Sequence, residues 1–309
     1  MKISRYDLDR FDPSVLSALT EGSFFASSGF LGLWESIGGH PVVWSAELGG
    51  ETLAVAPGIE FGMRPVKRFQ AMPDGCYGQI YFAGSITPDE REKIAGLFSE
   101  VLVQAEYVKL FLFDYYKTFA QTLDMEVQLC TTQLVDISVS DWAPPDKKLR
   151  SEIRKAEREG TKVVPFDTSV HMNRFLELMK QTEERHQRKP KYPTEFFQAL
   201  AELASKDPRV VWTWCEYEEN AVSSHINFIE KDMVLNWQVY FDKSYSFLKP
   251  NQQMLYSLAH EAAESGLKYL NLGASPPDAE SLSSYKDKWG ARTYQYNCYS
   301  TLKLLGRLV

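Results

Sequence analysis

The sequence predicts an α/β protein with a division near its middle, and three observations carry that expectation. From Met233 to Gly290 an alternating strand feeds an amphipathic helix and returns as a second strand. Tyr107 to Phe113 is a nearly continuous apolar run, the pattern of a strand covered on both faces. Strands, a helix and a strand lead up to Pro144-Pro145, and a similar order follows it without a low-complexity linker. At 309 residues the chain is long enough for two domains or one large one, each with a sizeable core.

Taken in order, Ser14 to Leu19 reads as a short helix, and Ser27-Ser28-Gly29-Phe30 introduces another through Trp34 to Ile37. Val42 to Leu48 and Thr52 to Ile59 read as strands, and Gly49-Gly50-Glu51 between them is a hairpin signal. Val66 to Ala71 and Gln79 to Phe82 follow as strands. Pro88 then opens a helix whose Ile94, Leu97, Phe98, Val101 and Leu102 form one apolar stripe. The Tyr107 strand ends at Asp114, and Gln128 to Ser138 is the last strand before the prolines.

Beyond the prolines, Asp146 to Glu159 is helical and stops at Gly160. Leu149, Ile153 and Ala156 form its inner face, while Arg150, Arg154 and Arg158 stack on another as a solvated or anion-facing stripe. A strand at Lys162 to Phe166 leads to helices at Val170 to Glu184 and Thr194 to Ala204. Strands follow at Val210 to Glu216, Ala221 to Glu230 and Met233 to Phe241. The turn Lys249-Pro250-Asn251 starts the helix Gln252 to Ser265, and Tyr269 to Leu272 is the returning strand. Ser281, Ser283 and Ser284 offer caps for a turn near Lys286, and Thr293 to Thr301 alternates as a final strand.

Composition narrows the function classes. A hydrophobic content of 44% with 24% charged residues is that of a soluble globular protein. A net charge of −7 argues against a nucleic-acid binder held by bulk electrostatics, while leaving room for a local basic patch. Cys76, Cys130, Cys215 and Cys298 form no Cys-x-x-Cys pair, which favours small buried thiols in a reducing, cytoplasmic setting. The histidines at 40, 171, 186, 225 and 260 show no metal-ligand spacing, so no metal is expected. Residues 1 to 13 carry no apolar run of a signal or anchor, and no integral membrane segment is expected.

Several runs resemble the second domain of the Fem-type (FemAB-like) peptidyltransferase group, relatives of the GNAT acyltransferases with two GNAT-like domains in tandem. They are Ala221-Val222-Ser223-Ser224-His225, Leu248-Lys249-Pro250-Asn251, Tyr269-Leu270-Asn271-Leu272-Gly273, and Tyr285-Lys286 with Trp289-Gly290-Ala291. Arg150 to Ala156 with Gly160 resembles the helix that opens that domain. The resemblance implies an α/β (α+β) fold of two tandem GNAT-like domains, each a mixed sheet flanked by helices. The first would cover 1–143 and the second 144–291, with 292–309 returning to the first. It also implies acyl or aminoacyl transfer to an amine or hydroxyl, with a small molecule or cell-envelope precursor as acceptor. The donor would be acyl-CoA or aminoacyl-tRNA acting as co-substrate, with no tightly bound cofactor. A ligand-binding protein that keeps the fold without catalysis is the alternative.

The resemblance also assigns candidate residues. Lys286 after the aromatic Tyr285 matches a family aromatic-lysine pair, with an electrostatic role for the lysine and acceptor binding for Tyr285. Asp114 matches an aspartate that commonly precedes proline in these proteins, here followed by Tyr115, and is the candidate acceptor orienter or base, against a turn-capping aspartate. Thr182 and Arg185 resemble a Thr-x-x-Arg near the acceptor's phosphates, which makes Arg185 and Arg188 candidate clamps. Lys249 and Asn251, at a helix N-terminus, are the candidate donor-binding residues. The turn Ser246 to Asn251 has no glycine, so its backbone cannot approach a diphosphate as closely as a glycine loop does. His225, within an alternating strand, reads first as a hydrogen-bonded core residue.

Overall fold

The computed structural model describes residues 1–63, 65–73, 75–275 and 279–302. The chain divides into two compact units, 1–130 with the C-terminal segment from 295, and 131–294. The break expected at Pro144-Pro145 therefore lies inside the second unit.

The first unit opens with a strand that the sequence did not reveal, β1 (Lys2–Asp7), paired antiparallel with β2 (Gly39–Leu48). It is a polar edge strand without an apolar face, so it carries no hydrophobic alternation to read. The short helices α1 (Pro13–Leu19) and α2 (Ser28–Leu33) precede β2. A two-residue Gly49-Gly50 turn, both at positive φ, joins β2 to β3 (Glu51–Phe61), as expected for a hairpin. Next come β4 (Arg68–Ala71), the two-residue β5 (Tyr81–Phe82), α3 (Pro88–Gln104), β6 (Lys109–Asp114) and β7 (Glu126–Asp136). The start of α3 is fixed by Pro88 and by a reciprocal capping box between Thr87 and Glu90. Its Ile94, Phe98 and Leu102 bury against Phe69, Leu110 and Leu112 of the sheet.

In the second unit, α4 (Lys147–Glu159), β8 (Lys162–Pro165), α5 (Thr168–Arg185) and α6 (Thr194–Ala204) lead to β9 (Val210–Tyr217), β10 (Asn220–Glu230) and β11 (Met233–Phe241). Then come α7 (Pro250–Glu264), β12 (Tyr269–Asn271), α8 (Glu280–Asp287) and β13 (Arg292–Leu302). The segment read as a serine-capped turn is the helix α8, which begins after Ala279 without a side-chain cap. Residues 276–278, in the loop before it, lie outside the described residues, as do 303–309.

Both units carry mixed runs of strands flanked by helices. The first runs β1-β2-β3-β4-β6-β13 with β5 on β3, and the second runs β7-β12-β11-β10-β9-β8. Strands β7 and β13 each contain one of the two division points. β13 pairs antiparallel with β6, from Asn297 opposite Asp114 to Leu302 opposite Lys109.

The second sheet is covered differently on its two faces. Helices α4 and α7 pack Leu149, Ile153, Leu255 and Leu258 against Val135, Val234, Leu270 and Trp289. On the other face, α5 and α6 bring Phe175 and Phe197 against Trp212 and Tyr240. Among the described residues, no helix is long and apolar enough to cross a membrane.

Candidate active site

The site is built where β11 and β12 part. These parallel strands pair only from Met233–Tyr269 to Leu235–Asn271, yet β11 continues to Phe241. Asn271 causes the departure. Its buried amide oxygen accepts from the Gly273 N–H at 2.9 Å and from Thr132 Oγ1 at 2.6 Å, and Gly273 sits at φ 71°. This Asx-type turn takes the chain away from β11 and leaves the strand edge from Asn236 to Tyr240 without a neighbouring strand on that side. A β-bulge lies at the same place, because Ile226 pairs with Gln238 and Asn227 with Asn236, which leaves Trp237 as the extra residue.

Lys286 holds the far side of this opening. It is 4% exposed, and its Nζ donates to Gly273 O at 2.9 Å and Ala274 O at 2.7 Å. No carboxylate pairs with it among the described residues, and burial lowers its pKa to about 8. Tyr285, its neighbour on α8, keeps a buried hydroxyl without a hydrogen-bond partner among the described residues, and burial raises its pKa. The Ser275 hydroxyl and the Trp289 indole N–H are likewise buried and make no hydrogen bond within normal distance among the described residues, although the indole lies near the Tyr285 hydroxyl. Such groups cost free energy unless something else satisfies them.

The α7 N-terminus closes the arrangement. Lys249 adopts a left-handed conformation at φ 60°, and Pro250 supplies no N–H. Gln252 and Gln253 donate to Lys249 O, so among the described residues the first turn leaves the Asn251 N–H without an acceptor. Lys249 Nζ sits 3.4 Å from Glu152 Oε1, and Glu152 is also in reach of Gln252. The side-chain oxygen of Asn251 accepts from Ser223 Oγ at 2.7 Å and lies 3.1 Å from His225 Nε2. Asn236 Nδ2 donates to Asn227 Oδ1 at 2.8 Å and faces His225 Nδ1 at 3.5 Å. Ser223, His225 and Asn227 alternate along β10 on one face, and all are buried. Burial lowers the His225 pKa to about 4, so the ring is neutral and donates through Nε2.

Lys286, Tyr285, Lys249 and Asn251 all lie in the second unit, where Glu152 pairs with Lys249 and Ser223 bonds to Asn251, contacts that the sequence reading did not single out. The alternation of Ser223, His225 and Asn227 was visible in the sequence, but nothing there linked it to Asn251. The other candidates are engaged elsewhere. Arg185 donates to Phe241 O at 3.1 Å and lies over the Phe241 ring, beside Thr182, which bonds the same backbone. Arg188 pairs with the buried Glu183. Both arginines therefore help to tie down α5 and the loop after it.

Asp114 belongs to the first unit and is 1% exposed. Its oxygens accept from Thr118 N at 2.7 Å, Thr118 Oγ1 at 3.2 Å and Phe119 N at 3.1 Å. Burial raises its pKa to about 6 against these bonds. This is the turn-capping geometry, and it leaves the carboxylate little freedom to serve as a base. Among the described residues, no group of three His, Cys, Asp or Glu side chains is placed to hold a metal ion.

Comparison with known proteins bears on this second unit first. Residues 146–287 match the acetyltransferase (GNAT) domain model. No curated protein matches the sequence. Among solved structures, FemX is similar over 98% of both chains, with a TM-score of 0.74 at 12% identity. L-PGS from Bacillus licheniformis is similar over 96% of this chain and 94% of its own, with a TM-score of 0.60 at 14% identity. A tandem GNAT protein from the clavulanic acid biosynthesis pathway aligns over 97% and 98%, with a TM-score of 0.53 at 12% identity. The chain therefore has the fold of these proteins, and its GNAT-matching segment contains the parted strands, the α7 N-terminus and Lys286.

Two measurements test this geometry. Asp114→Ala should cost about 2 to 4 kcal/mol in a urea melt, because a buried and a part-buried backbone amide lose their acceptor. For His225, the unfolded ring binds its proton near pH 6.5 and the folded ring only near pH 4. Its contribution is therefore complete above about pH 6.5 and is lost as the pH falls towards 4. The stability difference between wild type and His225→Asn should shrink over that window, and a difference that does not vary with pH would contradict the buried neutral ring.

Proposed function

We propose that this protein is an acyl- or aminoacyl-transferase that moves an acyl group to an amine or hydroxyl, with a cell-envelope precursor as the acceptor class and an aminoacyl ester of tRNA as the donor. The observation that carries the reading is the unpaired edge of β11 beside the Lys286-held turn, within the GNAT-matching segment. An extended acyl chain laid along that edge would pair with backbone groups that have no neighbouring strand. The single free N–H at the start of α7 supports an ester donor over acyl-CoA, because a diphosphate is held by several converging amides.

In this reading the acceptor nitrogen or oxygen attacks the acyl carbonyl carbon. The new C–N or C–O bond forms, the ester C–O bond breaks, and the acceptor's proton ends on the leaving oxygen. Lys286, as an unpaired buried ammonium, stabilises the developing oxyanion. Tyr285, whose hydroxyl stays protonated, donates to the acceptor, and the Asn251 N–H with Lys249 orients the donor. Asp114 and the two arginines, held by their own partners, support the scaffold. A reducing cytoplasmic setting fits four cysteines without a disulfide.

Mass-spectrometric detection of product after incubation with aminoacyl-tRNA or acyl-CoA donors tests the proposal. Transfer from the aminoacyl ester is expected, and transfer from acyl-CoA alone would reverse the donor assignment. Protection of the protein by ligands with no turnover of any donor would favour the silent binding protein. Lys286→Met should lower kcat by roughly ten- to a thousandfold, compared at a temperature where circular dichroism shows both proteins folded. Since the ammonium is the useful form and its pKa is about 8, wild-type kcat should fall as the pH rises through that value. An unchanged kcat in the variant would remove Lys286 from the chemistry.

A further inference from the structure

We infer that the outer face of α4 is a docking surface for the phosphate backbone of duplex RNA. Resting on the donor reading above, this names where the body of such a donor is held. At 100° per residue, Arg154, Lys147, Arg158, Ser151, Lys155 and Lys148 occupy an arc of about 120°, with no acidic residue inside it. Leu149, Ile153 and Ala156 are buried on the opposite side. Glu152, Glu157 and Glu159 fall outside the arc, and Glu152 is engaged by Lys249. None of the five cations takes part in an ion pair among the described residues. Lys147, Lys148, Arg154 and Arg158 are exposed, and Lys155 is partly so.

Like charges three, four and seven residues apart on one helix face repel, and Glu152, Glu157 and Glu159, which flank the arc, offset this only in part, since none forms an ion pair with the five cations among the described residues. In a chain of net charge −7 their segregation is not a by-product of a basic composition. From Lys147 to Arg158 the face extends about 16 Å, a length that reaches several consecutive phosphates. No large apolar side chain is exposed on α4, and an interfacial membrane helix would need such side chains. A polyanion read through its charges is the occupant that this face fits. The inner side of α4 packs on α7, and Glu152 reaches the α7 N-terminus, so the basic face borders the candidate active site.

The test is fluorescence anisotropy of the full-length protein with a 12-base-pair RNA hairpin carrying a single-stranded 3′ end, across a salt series. A variant with Lys147, Lys148, Arg154 and Arg158 all changed to Gln should bind at least about tenfold more weakly at low salt, and its log–log salt slope should be shallower by roughly 3. Its melting temperature should stay close to wild type, because the four side chains are exposed. Equal affinity and slope in the two proteins would overturn the inference. So would binding of wild type to vesicles rich in anionic lipid but not to the hairpin. Transfer from 3′-O-aminoacyl adenosine, which lacks the duplex, separates the two proposals. Both proteins should use this short donor equally. Failure of both to use it would sink the donor reading, while the anisotropy result would still decide the surface.

Discussion

The Asn271 turn is the constraint on which the rest of the second unit depends. A strand buried between helical layers ordinarily has its backbone groups met along its length by the strand beside it, whereas β12 stops after three residues and leaves β11 to run on. Here the Asn271 amide takes the Gly273 N–H in place of that ladder, and Lys286 takes the Gly273 and Ala274 carbonyls. The β12 side of the opening is thus satisfied by its own side chains, while the β11 edge beyond Leu235 has no strand beside it among the described residues. A sheet that ends one ladder early and spends a buried lysine on holding the loop away has a site there or an avoidable cost. The Asx turn and the lysine are interdependent, since moving the turn would strand the ammonium without its two acceptors.

A second polar arrangement sets the α7 N-terminus. Asn251 lacks the freedom of a surface residue, because its oxygen is claimed by Ser223 and His225 of β10. With the oxygen fixed as acceptor, the amide group presents its NH2 in one orientation next to the unpaired Asn251 backbone N–H. His225 is held in one tautomer by the same bonds. Three buried polar residues in the middle of a sheet are costly unless every group is met, and Asn227 and Asn236 meet those that remain. The result is a rigid donor pair at a helix end, built from side chains whose own burial leaves no alternative rotamer partners.

Much of this fold was legible in the sequence because it rests on local signals. The α3 start at Pro88, the Gly49-Gly50 hairpin and the stop of α4 at Gly160 are each set by a few adjacent residues. The apolar faces of α4 and α7 follow from spacing alone. What escaped is what depends on distant partners. β1 has no apolar face, and only its pairing with β2 makes it a strand. Arg185 and Arg188 have the composition of a phosphate clamp, and only the position of Phe241 and Glu183 shows that they are already occupied. Asp114 carried the same ambiguity at the end of β6, and the amides of Thr118 and Phe119 resolve its geometry as a cap. Lys249 and Asn251 were identified by resemblance, whereas the residues that hold them, Glu152 and Ser223, could be found only in three dimensions.

On the proposed reading, short-range and long-range recognition fall to different parts of the second unit, and the physics of each explains why. Backbone hydrogen bonding to an open strand edge acts over about 3 Å and reads the shape of an acyl group, but it supplies little attraction at a distance. A helix with five unpaired cations acts over about a Debye length, some 8 to 10 Å in ordinary salt, and is indifferent to the detailed chemistry of a polyanion. A small acyl thioester bound by its own diphosphate would need neither the second element nor its separation from the first. A donor whose reactive end is small and whose body is a long polyanion would need both, with the charges placed beside the reactive end but not within it. The buried, unpaired Lys286 fits the same division, for an ammonium whose pKa is brought down to about 8 serves the reacting carbonyl best when the bulk of the donor's negative charge is neutralised elsewhere.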